Sequence, residues 1–375
     1  MKEKIRALAL QLADWAASRL PYYPLMGRLG VFRGARATRR YLAGLFGSNP
    51  VPQPAPRSKP PLAGSPKCIW YIADVYWEGL ELIPELKKIC PVHVIDLRSV
   101  ATLPNSRDAV LELVRRSHGP TPPDLIILYA RESLLSEALF LHLRGLNAPI
   151  WGMNLDDKVE FFPDDIRPYS GRDGYVRWVS SFDLNLTCAP ALVDAYAAAG
   201  GQVVYFPEGF HFRPEFEPPR PAIVDRIAFV GAMRDSRARL VRDLGQFGIH
   251  VTTYGGGWPG GKMVTEPWRV YRAAQLSLGD GVTPQAHTTN LKPRDFETPG
   301  SNTCYITTYN WELAEHFDIG REILCFRNTD ELVEMLAYYQ ARPDECFKIA
   351  EAGFARARAC HTWEKRFRKV IAERL

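Results

Sequence analysis

The stretch FDLNLTCAPALVDAYAAAGGQVVYFP (182–207) carries the pattern on which the predicted fold rests. Residues 182–188 and 202–207 are short apolar runs of strand length, and residues 189–199 have a helical pattern that ends at two glycines. Glycine is common directly after the end of a helix. A strand, a helix and a second strand in succession predict a mostly parallel sheet that is covered by helices.

The same alternation continues on both sides of this stretch. Earlier strand-like runs are CIWYIA (68–73), VHVIDL (92–97), DLIILYA (124–130) and APIWGMNL (148–155), and later ones are RIAFVG (226–231), HVTTYGGG (250–257), 275–279 and TCYITT (303–308). A proline-rich and aromatic seam at 208–225 separates the two series. We therefore predict an α/β protein with two Rossmann-like, doubly wound domains facing a cleft, at 67–215 and 224–360. A C-terminal helix at 361–375 can cross back to the first domain.

Composition excludes several classes of protein. Apolar residues make up 46% of the 375 residues and charged residues 24%, which is ordinary for a soluble globular protein. No apolar run approaches the roughly 18–20 residues of a membrane-spanning helix, so an integral membrane protein is excluded. The seven cysteines include no CxxC pair, which argues against a zinc clip or a redox dithiol. We expect free, buried thiols and a cytoplasmic protein.

The first 50 residues differ in charge from the rest of the chain. They contain nine Lys or Arg and two acidic residues, a net charge of +7, whereas the other 325 residues carry a net charge of −2. Ile5, Leu8, Leu12 and Trp15 fall on one face of an amphipathic helix. We predict a basic helical extension at 1–48 and a proline-rich linker at 49–66.

Two interpretations of residues 1–47 remain open. The apolar stripe can enter an anionic membrane surface, which would make the protein peripheral on the inner face of the membrane. Alternatively, the helix packs on the protein's own body. Nucleic acid is not an expected partner, because the arginines are interleaved with apolar residues rather than gathered into a stripe.

Residues NLKPRDFETPGS (290–301) form the most informative group for chemistry. Lys292 and Arg294 precede a helix predicted to begin near Asp295, and Glu297 falls in its first turn. Two cations beside a helix N-terminus can hold a diphosphate, and a carboxylate one turn later can accept hydrogen bonds from ribose hydroxyls. Two small residues that follow, Gly300 and Ser301, allow backbone to approach a ligand closely. The alternative is a surface helix with ordinary charges.

A family resemblance adds to this interpretation. PRDFETPGS (293–301) and HTWEKR (361–366), with AFVGAMRDSRARLVRDL (228–244) and YGGGWPGGKM (254–263) before them, resemble GT-B glycosyltransferases, in particular the spore-maturation CgeB-like group. The resemblance covers about residues 67–366 and is looser in the first domain. It implies transfer of a sugar from a nucleotide-diphosphate-sugar donor to a hydroxyl of a glycan, lipid or protein acceptor, without a metal or other cofactor.

The resemblance also assigns residues to the donor. Lys292 and Arg294 match the cations that stabilise the leaving diphosphate, and Glu297 matches the glutamate that binds the donor ribose. Further donor-side residues are Gly231, Arg234 and Arg237 near the phosphates, Gly256 and Trp258 near the nucleobase, and Gly300 and Ser301. One position departs from the family, because Thr289 stands where retaining relatives often carry a second glutamate.

Three first-domain or seam positions have a functional and a structural interpretation. Asp74 follows the first strand, where it can act as the general base for the acceptor or fill an ordinary turn position. Asp156 and Asp157 suggest magnesium, but GT-B relatives generally use basic residues instead, so we predict a capping pair. His211 in the seam can touch a substrate or be structural.

Two rival functions stay open beside glycosyl transfer. A nucleotide-sugar epimerase on the same fold would need no acceptor. A non-catalytic nucleotide-sugar or glycan-binding module is favoured by Thr289 and opposed by the intact Lys292, Arg294 and Glu297.

Overall fold

The computed structural model describes residues 64–117, 119, 121–161, 174–261, 263–283 and 288–374. The described chain divides into two compact α/β units. The first unit contains residues 64–207 together with 363–374, and the second contains residues 208–362. The predicted extension at 1–48 and nearly all of the predicted linker at 49–66 lie outside the described residues.

The first unit is built on a six-stranded parallel sheet with the order β2-β1-β3-β4-β5-β6. Its strands are β1 (Ile69–Ala73), β2 (Val92–Asp96), β3 (Leu125–Tyr129), β4 (Ile150–Asn154), β5 (Leu184–Thr187) and β6 (Val203–Tyr205). Its first five helices are α1 (Leu82–Leu86), α2 (Ser106–Arg116), α3 (Glu137–Gly145), α4 (Asp157–Glu160) and α5 (Val193–Ala198). Strand order reverses at β1, as expected of a doubly wound sheet.

The second unit is built on a five-stranded parallel sheet with the order β13-β12-β9-β7-β8, beside a two-stranded hairpin, β10-β11. Its strands are β7 (Asp225–Val230), β8 (Thr252–Tyr254), β9 (Ala274–Leu278), β10 (Val282–Thr283), β11 (Thr288–Thr289), β12 (Cys304–Thr308) and β13 (Leu324–Phe326). Its helices are α6 (Asp235–Gln246), α7 (Pro267–Arg272), α8 (Arg294–Gly300), α9 (Thr329–Gln340) and α10 (Pro343–Cys360).

A last helix, α11 (Trp363–Arg374), belongs to the first unit. Alternate residues of β1 enter two different apolar clusters, as the two faces of a buried strand require. Trp70 lies in one cluster, whereas Tyr71 lies in the other with Trp363 and Phe367 of α11. Trp363 and Phe367 are fully buried, so α11 covers one face of the first sheet.

The carboxyl ends of β7 and β9 lie side by side in the second sheet, because these strands pair in parallel with Phe229 opposite Leu278. Gly231 follows β7, and Gly279 and Asp280 follow β9. Loops at the carboxyl edge of such a sheet are the usual place for a ligand.

The burial of the cysteines tests one expectation from the sequence. Six of the seven cysteines are buried and free, but Cys360 is exposed near the end of α10, so the prediction of buried thiols is wrong for that residue. None of the helices in the described ranges is both long and apolar enough to cross a membrane.

Candidate functional site

Two arginines of the second unit approach the same aromatic ring. The guanidinium carbon of Arg294, at the start of α8, lies 5.3 Å from the centroid of Phe229, and that of Arg237, in α6, lies 5.6 Å from it. Both distances fall in the range in which a cation is attracted to the ring quadrupole. Two positive charges therefore lie near the carboxyl end of β7.

Gly231 leaves room for this arrangement. A Cβ atom on this residue would lie 2.6 Å from Nη2 of Arg294 and 3.3 Å from Nη1 of Arg237. Gly231 also has a φ of +151°, in a region that other residues rarely adopt. The sequence therefore needs glycine at this point so that a guanidinium can lie against the backbone.

Hydrogen bonding leaves part of the arginine pair without an acceptor. Nη1 of Arg237 donates to the carbonyl oxygen of Ala232 at 2.9 Å, and Nε lies 3.6 Å from Oδ2 of Asp280. Nη1 of Arg294 and Nε of Arg237 are buried and have no hydrogen-bond partner among the described residues. Because unmade hydrogen bonds of buried charged groups are costly, this pair is suited to an anion that supplies the acceptors.

The two arginines differ in their electrostatic environment. Burial lowers the pKa of Arg237 to about 10, and the positive charge of Arg294 acts in the same direction. Burial also lowers the pKa of Arg294, but the combined effect of groups including Tyr271, Tyr305 and Asp295 raises it above its ordinary value. Both side chains are therefore protonated at neutral pH.

Asp280 and Asp295 hold the surrounding loops. Asp280 accepts a hydrogen bond from Oγ of Ser236 at 3.2 Å and another from the backbone N–H of Val282 at 3.0 Å. Asp295 accepts from the hydroxyl of Tyr305 at 2.6 Å and from the backbone N–H of Lys292 at 2.7 Å. Asp295 thereby fixes the segment in which Lys292 and Arg294 occur.

The glycine-rich turn after β8 supports the loop after β7. Nε1 of Trp258 donates to the carbonyl oxygen of Gly231 at 2.8 Å, and the backbone N–H of Met233 donates to the carbonyl of Gly256 at 2.8 Å. Trp258 is only 8% exposed and packs on Phe229. The turn therefore acts on the arginine pair through the backbone of Gly231.

The other donor-side candidates lie in or near the same segments. Lys292 and Glu297 are partly buried before and within α8, and Arg234 is exposed directly before α6. Oγ of Ser301 donates to the carbonyl of Glu297 at 2.6 Å. A Cβ on Gly300 would lie 2.6 Å from the ring of Phe210, which accounts for glycine there by packing.

Asp74 of the first unit lies at the carboxyl end of β1, beside Arg131. Nη2 of Arg131 donates to Oδ2 of Asp74 at 2.9 Å, while Oδ1 is buried with no hydrogen-bond partner in the described part of the chain. His211, in the second unit, is partly buried, and its carbonyl accepts from Nη1 of Arg213 at 3.4 Å.

Asp156 and Asp157 occupy different environments. Asp156 is exposed and stands at the start of α4, but its side chain makes no capping hydrogen bond. Asp157 is fully buried and accepts hydrogen bonds from the hydroxyls of Thr187 and Tyr196. Burial raises its pKa to about 6. The predicted capping pair is therefore wrong, because one carboxylate is a buried hydrogen-bond acceptor and the other does not cap.

The sequence analysis considered these two aspartates but did not identify Glu160, the last residue of α4, as a candidate functional residue. Burial raises the pKa of Glu160 to about 7, and the charge of Asp156 adds to that effect. The only sequence signal for Glu160 is its position shortly after the predicted strand at 148–155. In the ranges that the structure describes, no group of three or more His, Cys, Asp or Glu side chains is arranged to hold a metal ion.

Comparison with known protein families gives a match in the part of the chain that carries the arginine pair. Residues 234–372 match the glycosyl transferase-like family. This range contains Arg237, Asp280, Arg294 and Glu297, together with most of α11. A search of curated protein sequences gives no match.

Solved structures of glycosyltransferases and of a related enzyme share the fold. Sucrose-phosphate synthase from Thermosynechococcus elongatus superposes with a TM-score of 0.51 at 13% identity, over 82% of this chain and 100% of that chain. The Anabaena protein HepE, in complex with UDP and glucose, gives 0.50 at 13% identity, over 82% and 100%. A putative UDP-N-acetylglucosamine 2-epimerase from Listeria monocytogenes gives 0.50 at 11% identity, over 80% and 93%.

These matches confirm the resemblance to GT-B glycosyltransferases and the predicted class of two Rossmann-like α/β units. They do not confirm the CgeB-like subgroup. At 11–13% identity the structural likeness shows the fold alone.

Proposed function

We propose that this protein is a glycosyltransferase that moves a sugar from a nucleotide-diphosphate-sugar donor to a hydroxyl acceptor. The observation that carries the proposal is the buried Nη1 of Arg294, which lacks an acceptor beside the positively charged Arg237. A diphosphate supplies both negative charge and several acceptor oxygens. The match of residues 234–372 to the glycosyl transferase-like family supports the same assignment.

In this mechanism the arginine pair binds the diphosphate and stabilises it as it leaves. Negative charge develops on the phosphate oxygen as its bond to the sugar breaks, and cations already held nearby lower the energy of that state. Arg294 donates its unused N–H groups to phosphate oxygens, and Lys292 adds a positive charge from the adjoining segment. No metal is needed in this scheme, so activity should persist in the presence of a chelator.

Other residues complete the proposed donor and acceptor contacts. The carboxylate of Glu297 accepts hydrogen bonds from ribose hydroxyls, and Asp74 removes the proton of the acceptor hydroxyl. The ion pair with Arg131 orients Asp74. The acceptor is a glycan, a lipid or a protein. UDP is the first nucleotide to test, because HepE was solved with UDP and glucose.

The basic segment at 1–47 adheres to an anionic membrane surface in this proposal. Its net charge and apolar stripe suit the headgroup region, and the linker tethers the two units to it. The protein then works in the cytoplasm, as a peripheral protein on the inner face of the membrane.

A nucleotide-sugar epimerase is the second candidate. It is favoured by the Listeria epimerase, whose fold matches this chain about as well as the glycosyltransferases do. Both activities use a nucleoside-diphosphate site, so the arginine pair does not separate them. The two activities differ in whether they require an acceptor.

The deciding experiment incubates the purified full chain with a panel of UDP-sugars, with and without glycan and lipid extracts. Glycosyl transfer predicts that UDP is released and that its release depends strongly on the acceptor. Conversion of the donor to an isomer without acceptor, seen by NMR of the sugar protons, identifies an epimerase instead. UDP-sugar binding without either reaction identifies a binding module.

A further inference from the structure

We propose that Trp258 is a positioning residue, which holds the loop after β7 so that Arg294 and Arg237 converge on a phosphate group. This inference rests on the proposed function. It assigns Trp258 a role through the backbone, instead of the nucleobase contact that the family resemblance implies.

The position of Trp258 supports this role directly. Its indole is buried, its Nε1–H donates to the carbonyl oxygen of Gly231 at 2.8 Å, and its ring meets Phe229 edge-on with centroids 5.8 Å apart. Phe229 is the ring approached by both arginines. The side chain of Trp258 thus contacts both the Phe229 ring, which the two guanidiniums approach, and the backbone of Gly231 beside them.

The next carbonyl in the loop accepts a hydrogen bond from one of the two arginines. Ala232 accepts from Nη1 of Arg237 at 2.9 Å, so two consecutive carbonyls are fixed by Trp258 and by an arginine of the pair. The turn that carries Trp258 closes on the same place, because a Cβ on Gly255 would lie 2.6 Å from the carbonyl oxygen of Gly231.

The location of Gly231 in turn fixes Arg294. Nη2 of Arg294 lies 2.6 Å from the position that a Cβ on Gly231 would occupy. A shift of the Gly231 backbone therefore either crowds the guanidinium or opens a gap beside it. Loss of the indole N–H removes the donor that keeps the Gly231 carbonyl in place. The phosphate site should then loosen while contacts to a nucleoside remain.

The test compares Trp258→Phe with Trp268→Phe in the full chain. Both tryptophans are 8% exposed and lie in the second unit, but Trp268 packs on Phe216 in a different apolar cluster from that of Phe229. The probes are UDP, inorganic pyrophosphate and uridine, measured by calorimetry. Trp258→Phe should weaken UDP and pyrophosphate about threefold to tenfold, as expected for one lost hydrogen bond, and leave uridine unchanged.

A second pair of variants tests the same role without changing the tryptophan. Gly255→Ala should press on the Gly231 carbonyl and weaken pyrophosphate as Trp258→Phe does. Gly260 lies in the same turn and also has a positive φ, but a Cβ there would meet nothing within 4 Å among the described residues. Gly260→Ala should therefore leave pyrophosphate binding unchanged. This pair keeps the proposal testable if Trp258→Phe does not fold.

The outcomes separate the two proposals. If the unaltered protein binds UDP but Trp258→Phe and Trp268→Phe bind pyrophosphate equally well, Trp258 has no positioning role and the proposed function stands. A loss of uridine binding equal to that of UDP also overturns the role, because it indicates a direct nucleoside contact. If the unaltered protein binds neither UDP nor pyrophosphate, the proposed function itself fails, and the positioning role fails with it.

Discussion

The guanidinium of Arg294 fills the space that a side chain on Gly231 would need. Nη2 lies 2.6 Å from the position of a Cβ there, a separation that real Cβ atoms do not show. The two residues are 63 positions apart in the sequence and meet through the folding of the second unit. This contact makes the position of one arginine depend on the absence of a side chain elsewhere.

Gly231→Ala should therefore weaken nucleotide binding and also lower the stability of the unit. The new methyl group displaces Arg294 and also strains a backbone at φ +151°, at a cost of about 1–3 kcal/mol in unfolding free energy. We expect UDP affinity to fall about tenfold by calorimetry. Gly248→Ala is the matched control, because Gly248 has a φ of +73° and open space around it. Equal UDP affinity in both variants would contradict the role of the contact.

Arg294→Met should remove the proposed interaction with the leaving diphosphate. Charge-assisted hydrogen bonds of this kind contribute about 1.5–3 kcal/mol, so donor affinity should fall about ten- to a hundredfold. Turnover should fall further than binding if the charge matters most in the transition state. Arg294→Lys should be intermediate, because it keeps the charge but loses the planar fork. Steady-state kinetics measure both effects.

The control for Arg294 is Arg239→Met, which removes an exposed arginine of α6. Its kinetics should match those of the unaltered protein. A rise in KM with unchanged kcat in Arg294→Met would exclude a role in stabilising the leaving group.

Glu297→Ala should affect the nucleoside part of the donor and leave the diphosphate part intact. We expect UDP affinity to drop about tenfold or more through the lost ribose hydrogen bonds. Pyrophosphate has no ribose, so its affinity should not change. Glu315→Ala removes an exposed glutamate of the same unit and serves as the control. Unchanged UDP binding in a folded Glu297→Ala protein would remove this residue from the site.

Asp157 should make the first unit less stable as the pH rises from about 4 to about 6. Burial raises the pKa of the folded carboxyl to about 6, so the folded state keeps its proton over a range in which the unfolded chain has released it. The contribution of Asp157 to the unfolding free energy should fall by about 1.4 kcal/mol per pH unit in that window and then level off above pH 6.

Asp157→Asn cannot titrate, so this part of the pH dependence should disappear from its denaturant unfolding curves. Glu160 shifts in the same direction but is present in both proteins, and the comparison isolates Asp157. Parallel stability profiles for the two proteins between pH 4 and 6 would mean that the carboxyl does not take up its proton on folding.

The basic segment at 1–47 should bind anionic vesicles. Each basic residue near an anionic surface contributes about 1 kcal/mol, so replacing Arg36, Arg39 and Arg40 by Gln should weaken binding about a hundredfold. Trp15→Ala should weaken it at every salt concentration, because apolar burial is not screened. Co-sedimentation measures both effects, with neutral vesicles as the control. Equal sedimentation of the unaltered protein with neutral and anionic vesicles would favour a helix docked on the protein itself.

Strands of five or six apolar residues were predictable from sequence because their composition alone marks them. The strand CIWYIA became β1 with little change of bounds, and the helix before Gly200 was recognised by its glycine stop. β6 and β8 are only three residues long, but each follows a helix in the predicted alternation of strand and helix. β13 was not predicted, because only a short 3-10 segment, Trp311–Glu315, separates it from β12 and no helical pattern marks its start.

The candidate site was only partly accessible to sequence reasoning. Lys292, Arg294 and Glu297 are close in the chain, but their spacing also fits an ordinary surface helix, and the family resemblance assigned them to the donor. Asp280 was missed as the partner of Arg237, because the pairing of β7 with β9 brings distant segments together. Phe229 was counted only as a strand residue, since nothing in the sequence indicates that two arginines approach its ring.

Placement of α11 on the first unit has a consequence for synthesis of the chain. The ribosome must add the 155 residues 208–362 after Pro207 before Trp363 can cover its face of the first sheet. At about 5–20 residues per second, this interval lasts roughly 8 to 30 s. During that time an apolar surface that includes Tyr71 and Trp151 is without its final cover. Nascent first units are therefore expected to depend on chaperones that bind such surfaces, until α11 emerges and closes the core.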